Sequence, residues 1–498
     1  EIRRIAPGVS EPQIGLIRQQ WWLDSLQAGT TDHPALATIA EARVPVTPLA
    51  NLIRAREFDL YDDPMPDLAT LEGYLGETSS SLIQLACLLL DPAEAPSAVE
   101  AAGLAGAQIA ANVVAVAFTI VFARWLGTEG YGSLARMISI FVILIVLGSA
   151  LQVATARETA LGRMGSPGEC AATLERWTRG LLIATAAVAV ASVLLRQQIA
   201  DAMHVDQVWA AALVAPTGAL WVVVAVQRGV LQGLRAYQPV GLSLVGEQFV
   251  RLLLSAAFVA LGWGVTGALI GMPASVLVVV ITLGIVLRRR LGRPAAEPSG
   301  ERLRDLVMRN RVPIAALTLL AVMQNIDVVV VGHTLSSDES GAYAVAAVAA
   351  KGVVWVAVGL GLYLLPEATR ESSVGSDPRP LLWRTLAVLA LVAVPMVALY
   401  AVAAEPVLRT VFGPDSVLAK GALAWLGVAM SLLAVSYLAV QFQIALQRVR
   451  FLWLLALGAV AEPVLLALIG GHLVRIATGL LVLQLVVATG LIAMSARR

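Results

Sequence analysis

The pattern of apolar and polar residues changes near residue 100. Before that point, apolar residues recur at helical spacing among many charged ones, as at Ile14, Ile17, Trp21 and Leu26. From about Gly103 onward, apolar blocks of membrane-helix length alternate with short polar connectors. The pattern therefore predicts an all-α protein in which a short soluble helical segment precedes a polytopic membrane region.

The apolar blocks predict about twelve transmembrane helices. Most blocks are long enough to cross a hydrocarbon core of about 30 Å, and the third is the shortest. The composition agrees, because only 14% of the residues are charged and 58% are hydrophobic, whereas soluble domains carry about 25% charged residues. The predicted spans are 103–123, 133–156, 180–195, 208–227, 240–262, 264–287, 312–334, 341–365, 385–403, 418–440, 451–470 and 474–495.

The placement of arginine predicts the orientation and the domains. Even-numbered connectors are rich in arginine, whereas odd-numbered connectors carry little positive charge. Because cytoplasmic loops carry an excess of Lys and Arg, both termini are predicted to be cytoplasmic. One long basic connector separates six spans from six. The predicted domains are a soluble helical segment at 1–100, a first membrane half at 101–287, a basic cytoplasmic linker at 288–311 and a second membrane half at 312–498.

The two membrane halves begin alike. FARWLGTEGYGSLA (Phe122–Ala135) lies between the first two spans, and VVVVGHTLSSDESGAYAVA (Val328–Ala346) lies at the corresponding place in the second half. Each phrase contains a helix end, a short turn with glycine and acidic residues, and then Gly, Tyr and small residues. Two similar halves of equal orientation are typical of transporters that rock around a central site, and a channel would not need them.

These phrases carry a resemblance to a known family. RWLGTEGYGSLARMISIFVILIVLG, ARETA and NIDVVVVGHTLSSDESGAYAVAA resemble the polysaccharide-biosynthesis branch of the multidrug/oligosaccharidyl-lipid/polysaccharide exporter superfamily, over residues 103–498. The resemblance implies a non-enzymatic flippase that moves a polyprenyl-diphosphate-linked oligosaccharide across the bacterial cytoplasmic membrane by alternating access. It implies the lipid-linked oligosaccharide, membrane lipids and glycan-assembly proteins as partners, and no cofactor. The alternative is a cation-coupled multidrug-type exporter of the same architecture.

Ionisable residues inside the predicted spans are the candidate site residues. A flippase for a diphosphate needs cations that face an internal cavity, because charges that face lipid are strongly disfavoured. Arg251 lies near the middle of the fifth span and Lys351 about ten residues into the eighth, so we predict that they bind the diphosphate. The candidates for cation coupling or ion pairing are Glu247, Asp327, Glu462 and Asn325.

A simpler interpretation of the same charges stays open. Charges inside membranes usually pair, so Glu247 with Arg251, and Asp327 with Lys351, would be neutralised pairs that only hold helices together. The sequence shows no catalytic triad, zinc spacing or phosphate loop, and a net charge of +1 gives no reason to expect nucleic acid as a partner. The arginines near span ends are predicted to reach lipid headgroups, and these are Arg124, Arg157 and Arg228.

The first hundred residues carry a second resemblance. SEPQIGLIRQQWWLDSL (Ser10–Leu26) and LIRAREFDLYDDPMPDLATLEGYLGETSSSLIQLA (Leu52–Ala86) resemble the squalene/phytoene synthase family, an all-helical prenyl-diphosphate fold. The resemblance implies a prenyl-transferring enzyme as another alternative, but both aspartate-rich motifs that would hold magnesium are missing. We therefore expect no synthase activity. The remaining acidic residues are interpreted as a solvated turn, at Asp59, Asp62, Asp63 and Asp67.

The first residue of the sequence affects how the origin of this front segment is interpreted. The sequence begins at Glu1 without an initiator Met or a secretory signal pattern. We therefore expect a piece of a longer protein, in which the front segment is either a remnant of a synthase-like domain or the product of a second, joined gene. A segment that lacks most of its domain buries little apolar surface and would be hard to stabilise.

Overall fold

The structure is a computed structural model, and it contains helices and no strands among the residues that it describes. The predicted all-α class is confirmed. The chain divides into two compact units, Glu1–Ala107 and Gln108–Arg498. The described residues are 11–41, 44–61, 66–67, 70, 73–74, 77–78, 95–295, 297–373 and 375–496.

The front unit has a small apolar core. Trp22 and Leu26 of the first helix pack with Leu36 and Ile53 of the next two helices. The second half of the synthase-like phrase Leu52–Ala86 lies largely outside the described residues, as do Asp62 and Asp63. The helices of this unit are α1 (Pro12–Ala28), α2 (Pro34–Glu41) and α3 (Val46–Ala55), and a 3-10 helix follows at Arg56–Leu60.

The membrane unit is built from long apolar helices. In the described part of the chain, ten helices are long and apolar enough to cross a membrane. Two of them, Gly106–Ala160 and Tyr237–Leu291, have 55 residues each, which is more than one crossing requires. Each is broken by a glycine with positive φ, Gly127 at 70° and Gly262 at 89°. The two breaks divide these helices, so the described residues form twelve segments of membrane length, as the apolar pattern predicts.

Most of these helices extend beyond the predicted spans into the connectors. The helices are α4 (Ala95–Ala160), α5 (Pro167–Leu194), α6 (Arg196–Met203), α7 (Val208–Gly233), α8 (Tyr237–Phe258), α9 (Gly264–Leu291), α10 (Leu303–Arg309), α11 (Arg311–Thr334), α12 (Ser337–Ala350), α13 (Gly352–Ser373), α14 (Arg379–Phe412), α15 (Lys420–Ala445), α16 (Phe451–Ile469) and α17 (Leu473–Ala496).

The third span shows why the apolar pattern underestimates helix length. The prediction places it at 180–195, whereas α5 begins at Pro167. Ser166 and Glu169 form a capping box in which the Glu169 carboxylate accepts from the Ser166 amide at 2.7 Å. This cap fixes the helix start thirteen residues before the apolar block, in a polar stretch that hydropathy does not detect. The predicted apolar span therefore lies within a longer helix that begins in polar sequence.

The eighth span tightens at Lys351, where helices α12 and α13 meet. The carbonyl of Lys351 accepts from the amide of Val354 at 3.0 Å and from that of Trp355 at 3.4 Å. The backbone of Lys351 stays in the right-handed helical region, so the two helices form one continuous apolar segment, Ser337–Ser372.

The two halves meet through their matching turns. The Thr128 hydroxyl donates to the Asp338 carboxylate at 2.9 Å, and Arg136 donates to the Ser340 hydroxyl at 3.2 Å. The backbones are so close that a Cβ added to Gly341 would lie 1.9 Å from the carbonyl oxygen of Thr128. The repeated phrases of the sequence therefore form a direct contact between the halves, at the helix ends predicted to be extracytoplasmic.

Candidate functional site

Arg251 lies inside the first half and forms no ion pair with any residue that the structure describes. Its guanidinium lies over the ring of Phe118, 4.7 Å from the ring centroid. Its Nε is buried without a hydrogen-bond partner, and Tyr131 and Glu247 are its electrostatic neighbours. The side chain is half-buried. An arginine whose donors are free presents a planar fork that fits phosphate or carboxylate oxygens.

Glu247, predicted as the partner of Arg251, is bound by Arg228 instead. An Arg228 Nη2 lies 2.8 Å from Glu247 Oε2, and the indole of Trp221 donates to Oε1 at 3.3 Å. The Nε of Arg228 donates to the Ser243 hydroxyl at 2.8 Å. The predicted headgroup contact of Arg228 is therefore wrong: its side chain is 1% exposed, because Ser243 and Glu247 supply acceptors inside the protein.

The second half holds a buried polar cluster around Lys351. The Lys351 ammonium donates to the side-chain oxygen of Asn325 at 3.2 Å and lies 3.8 Å from Asp327 Oδ1. The hydroxyl of Tyr343 donates to Asp327 Oδ2 at 3.1 Å. All four side chains are buried. The structure thus places Asp327 beside Lys351, as their positions on either side of one short turn suggest.

Glu462 completes this cluster from α16. The amide of Gln484 donates to Glu462 Oε2 at 3.2 Å, and Asp327 and Lys351 are the electrostatic neighbours of the carboxylate. Three buried acceptor oxygens have no hydrogen-bond partner in the described part of the chain: Asp327 Oδ1, Glu462 Oε1 and Gln484 Oε1. Two carboxyl groups and one ammonium give the ionised cluster a surplus negative charge. Unpartnered buried oxygens of this kind suit a proton or a hard cation.

Sequence reasoning missed three residues of these arrangements. Each had a signal: Tyr343 belongs to the repeated Gly–Tyr phrase, Gln484 is a lone polar residue in an apolar span, and Arg136 follows the corresponding phrase of the first half. The missed residues are Tyr343 and Gln484 in the cluster and Arg136 between the halves.

The acidic turn of the front unit is engaged in local contacts. Asp59 forms an ion pair with Arg56 at 2.8 Å and accepts a hydrogen bond from the Tyr74 hydroxyl. Partial burial and the neighbouring Asp59 carboxylate raise the pKa of Tyr74. Within the described part of the chain, no three His, Cys, Asp or Glu side chains are grouped to hold a metal ion.

Two known protein families match parts of this chain. A family described as polysaccharide biosynthesis protein matches residues 100–366, which is more than half of the chain. The chain belongs to the polysaccharide biosynthesis protein family. A second family, squalene/phytoene synthase, matches residues 1–117. No curated protein matches this polysaccharide biosynthesis protein.

Solved structures show the fold of this family member. An inward-facing multidrug resistance MATE family transporter of the MOP superfamily shares 15% identity, with a TM-score of 0.63 and coverage of 78% of this chain and 94% of that chain. The lipid II flippase MurJ in an inward closed conformation shares 11%, with a TM-score of 0.64 and coverage of 78% and 87%. The eukaryotic MATE transporter AtDTX14 shares 16%, with a TM-score of 0.55 and coverage of 80% and 96%. The protein therefore has the fold of a multi-pass transporter of the MOP superfamily.

Proposed function

We propose that this polysaccharide biosynthesis protein flips a polyprenyl-diphosphate-linked oligosaccharide across the bacterial cytoplasmic membrane by alternating access. The observation that carries the proposal is Arg251, whose guanidinium has neither an ion pair nor a hydrogen bond within the described residues. A half-buried cation without an anionic partner is costly in a membrane helix. A diphosphate that enters the first half supplies the missing oxygen acceptors and makes charge-assisted hydrogen bonds there.

The second-half cluster supports coupling to a proton or a cation. Its three unpartnered oxygens belong to Asp327, Glu462 and Gln484, and its only ammonium, that of Lys351, is 3.8 Å from the nearer carboxylate oxygen. We propose that Lys351 turns from Asp327 toward the substrate diphosphate when substrate binds. The released carboxylate then takes up a proton or a cation, which links substrate binding to an ion gradient.

The contact between the matching turns supports a state that is closed on one side. Because a Cβ on Gly341 would overlap the backbone of Thr128, we expect Gly341→Val to open this contact. A cysteine introduced at Thr128 should then react faster with a membrane-impermeant thiol reagent added from outside. Gly359→Val is the matched control, since no atom lies within 4 Å of a Cβ added there. Equal labelling in both backgrounds would contradict a closed contact at this end.

The cytoplasmic location of both termini rests on the arginine pattern. Reporter domains fused after residues 170, 300 and 375 should report cytoplasm, and those fused after residues 338 and 413 should report the outside. A periplasmic signal at residue 300 would contradict the arrangement of two halves joined by a cytoplasmic linker.

A cation-coupled multidrug-type exporter is the second candidate function. The buried carboxyl groups of Asp327 and Glu462 favour it, because an exporter of cationic drugs presents acids to its substrate. Arg251 opposes it, since an unpaired guanidinium repels a cationic drug. The two candidates therefore predict opposite charge preferences for the substrate.

The proposed function is tested with purified protein in liposomes. A fluorescent polyprenyl-diphosphate-linked oligosaccharide in the inner leaflet should become accessible to an impermeant quencher only when the protein is present. A cationic dye should not be transported under the same gradient. Transport of the dye with no movement of the lipid-linked oligosaccharide would replace the flippase proposal with the exporter.

We propose no prenyl transfer by the front unit. Asp59 is engaged by Arg56 and Tyr74, and both aspartate-rich motifs of the synthase family are missing from this sequence. Purified protein incubated with magnesium and farnesyl or geranylgeranyl diphosphate should give no condensed product. Formation of such a product would establish an enzyme activity and overturn this part of the proposal.

A further inference from the structure

A large groove lies in the first half, between one face of α5 and one face of α9. Its volume is about 1190 Å³, more than the roughly 300–1,000 Å³ of common small-molecule pockets. Leu182 and Ile183 line it from α5, and Ile281 and Ile285 line it from α9. All four side chains are between 43% and 65% exposed. The groove thus offers exposed apolar walls, which suit a hydrocarbon chain.

One end of this groove carries arginines. Arg179, Arg288 and Arg293 line that end, together with Glu175. Glu175 is 3.7 Å from Arg179 and offsets its charge. Arg288 and Arg293 are exposed and have no ion pair or hydrogen bond among the described residues. The end of the groove therefore presents two cations that nothing in the described part of the protein neutralises.

We infer that this groove holds the polyprenyl chain of the diphosphate-linked substrate, with Arg288 and Arg293 binding the diphosphate, before the substrate reaches Arg251. This inference rests on the proposed function. Two uncompensated arginines match the two or more negative charges of a diphosphate, whereas a common acidic phospholipid carries one. The apolar walls begin next to this charged end. A polyprenyl diphosphate has the same order, a charged headgroup followed by an apolar chain.

The charged end is tested by two matched double variants. Arg288→Gln with Arg293→Gln removes two arginines that line the groove, whereas Arg289→Gln with Arg290→Gln removes two exposed arginines of the same helix end that do not. The full chain in lipid nanodiscs is titrated with a fluorescent polyprenyl diphosphate that carries no sugar. We expect about a tenfold loss of affinity for the first pair and about twofold or less for the second. Equal losses would mean general surface attraction and would overturn the inference.

The apolar walls are tested by filling the groove. A Cβ added to Gly284 meets only the side-chain nitrogen of Gln227, at 3.6 Å, so Gly284→Trp directs a large side chain into the groove. Leu277→Trp on the same helix is the control, since Leu277 is 50% exposed and does not line the groove. Probe affinity should fall about tenfold for Gly284→Trp and stay unchanged for Leu277→Trp. If Gly284→Trp does not fold, the arginine pairs still decide the question.

Competition by an acidic phospholipid and measurements of flipping distinguish this inference from a general lipid groove and from a failure of the proposed function. An acidic phospholipid that displaces the probe at equal mole fraction would show a general lipid groove and overturn the inference. Unchanged flipping by Gly284→Trp, with the probe bound normally, would overturn it while leaving the proposed function intact. Binding of the probe as expected, with no flipping by the wild-type protein, would instead contradict the proposed function.

Discussion

The two membrane halves bury charged residues in contrasting ways. In the first half, both carboxylate oxygens of Glu247 accept hydrogen bonds, from Arg228 and Trp221. In the second half, Asp327 and Glu462 each keep one buried oxygen without a hydrogen-bond partner among the described residues. The closest approach of Lys351 to Asp327 is 3.8 Å, which is too long for a hydrogen bond.

The difference separates a structural pair from a site that can change state. A fully bonded buried pair is strongly destabilised when one partner is lost. A cluster with unpartnered acceptor oxygens can bind a proton or a cation without first breaking a hydrogen bond. Removal of charge should therefore affect folding most at the Arg228–Glu247 pair of the first half, and transport most at Arg251 and at the second-half cluster.

The largest effect is expected for the first-half pair. Arg228→Met alone strands the Glu247 carboxylate inside the protein, at a cost of about 3–5 kcal/mol. We expect a sharp fall in protein abundance and in the unfolding temperature of the detergent-purified protein. Adding Glu247→Gln removes the stranded charge, and both abundance and flipping should return together. Flipping that stays lost after abundance returns would show that this pair also acts in transport.

The next effect is expected for the second-half pair. Lys351→Ala strands Asp327, and because their contact is longer, the loss of stability should be smaller, about 1–3 kcal/mol. Adding Asp327→Asn should restore abundance while flipping remains lost. The measurement is abundance and liposome flipping for the single and double variants. Restored flipping in the double variant would show that Lys351 only neutralises Asp327, and the two halves would then not differ.

The smallest effect on stability is expected for Glu462→Gln. The substituted amide keeps its oxygen to accept from Gln484, so the free energy of unfolding should change by about 1 kcal/mol or less. Flipping should lose its response to an imposed proton or sodium gradient, because the titratable carboxyl group is gone. The control is Gln441→Glu on α15, which adds a carboxyl group outside the cluster. An unchanged response in Glu462→Gln would remove Glu462 from the coupling mechanism.

The number of spans and the repeated halves could be predicted because they depend on properties that run along the chain. Apolar length defines a membrane crossing, and the alternation of arginine checks the count. Helix starts in polar sequence could not be predicted this way. The start of α5 depends on the capping box of Ser166 and Glu169, which hydropathy does not register.

Side-chain partners were less predictable, because they depend on the rotation of each helix about its axis. Arg251 lies one turn from Glu247 in sequence, yet the carboxylate faces Arg228 on another helix. The same limit applies to α1, where Ile14, Ile17 and Trp21 are exposed. Trp22 and Leu26 are the side chains that this helix buries. Asp327 and Lys351 were easier to place together, because a short turn fixes the packing of their helices.

The central claim is that the unpaired guanidinium of Arg251 binds the anionic part of the substrate. The most direct measurement is the rate of flipping of a fluorescent polyprenyl-diphosphate-linked oligosaccharide in liposomes by wild type, Arg251→Lys and Arg251→Gln, at matched protein abundance. We predict partial activity for Arg251→Lys, which keeps the charge but not the planar fork, and a loss of at least about a hundredfold for Arg251→Gln. Flipping by Arg251→Gln at the wild-type rate would contradict the claim.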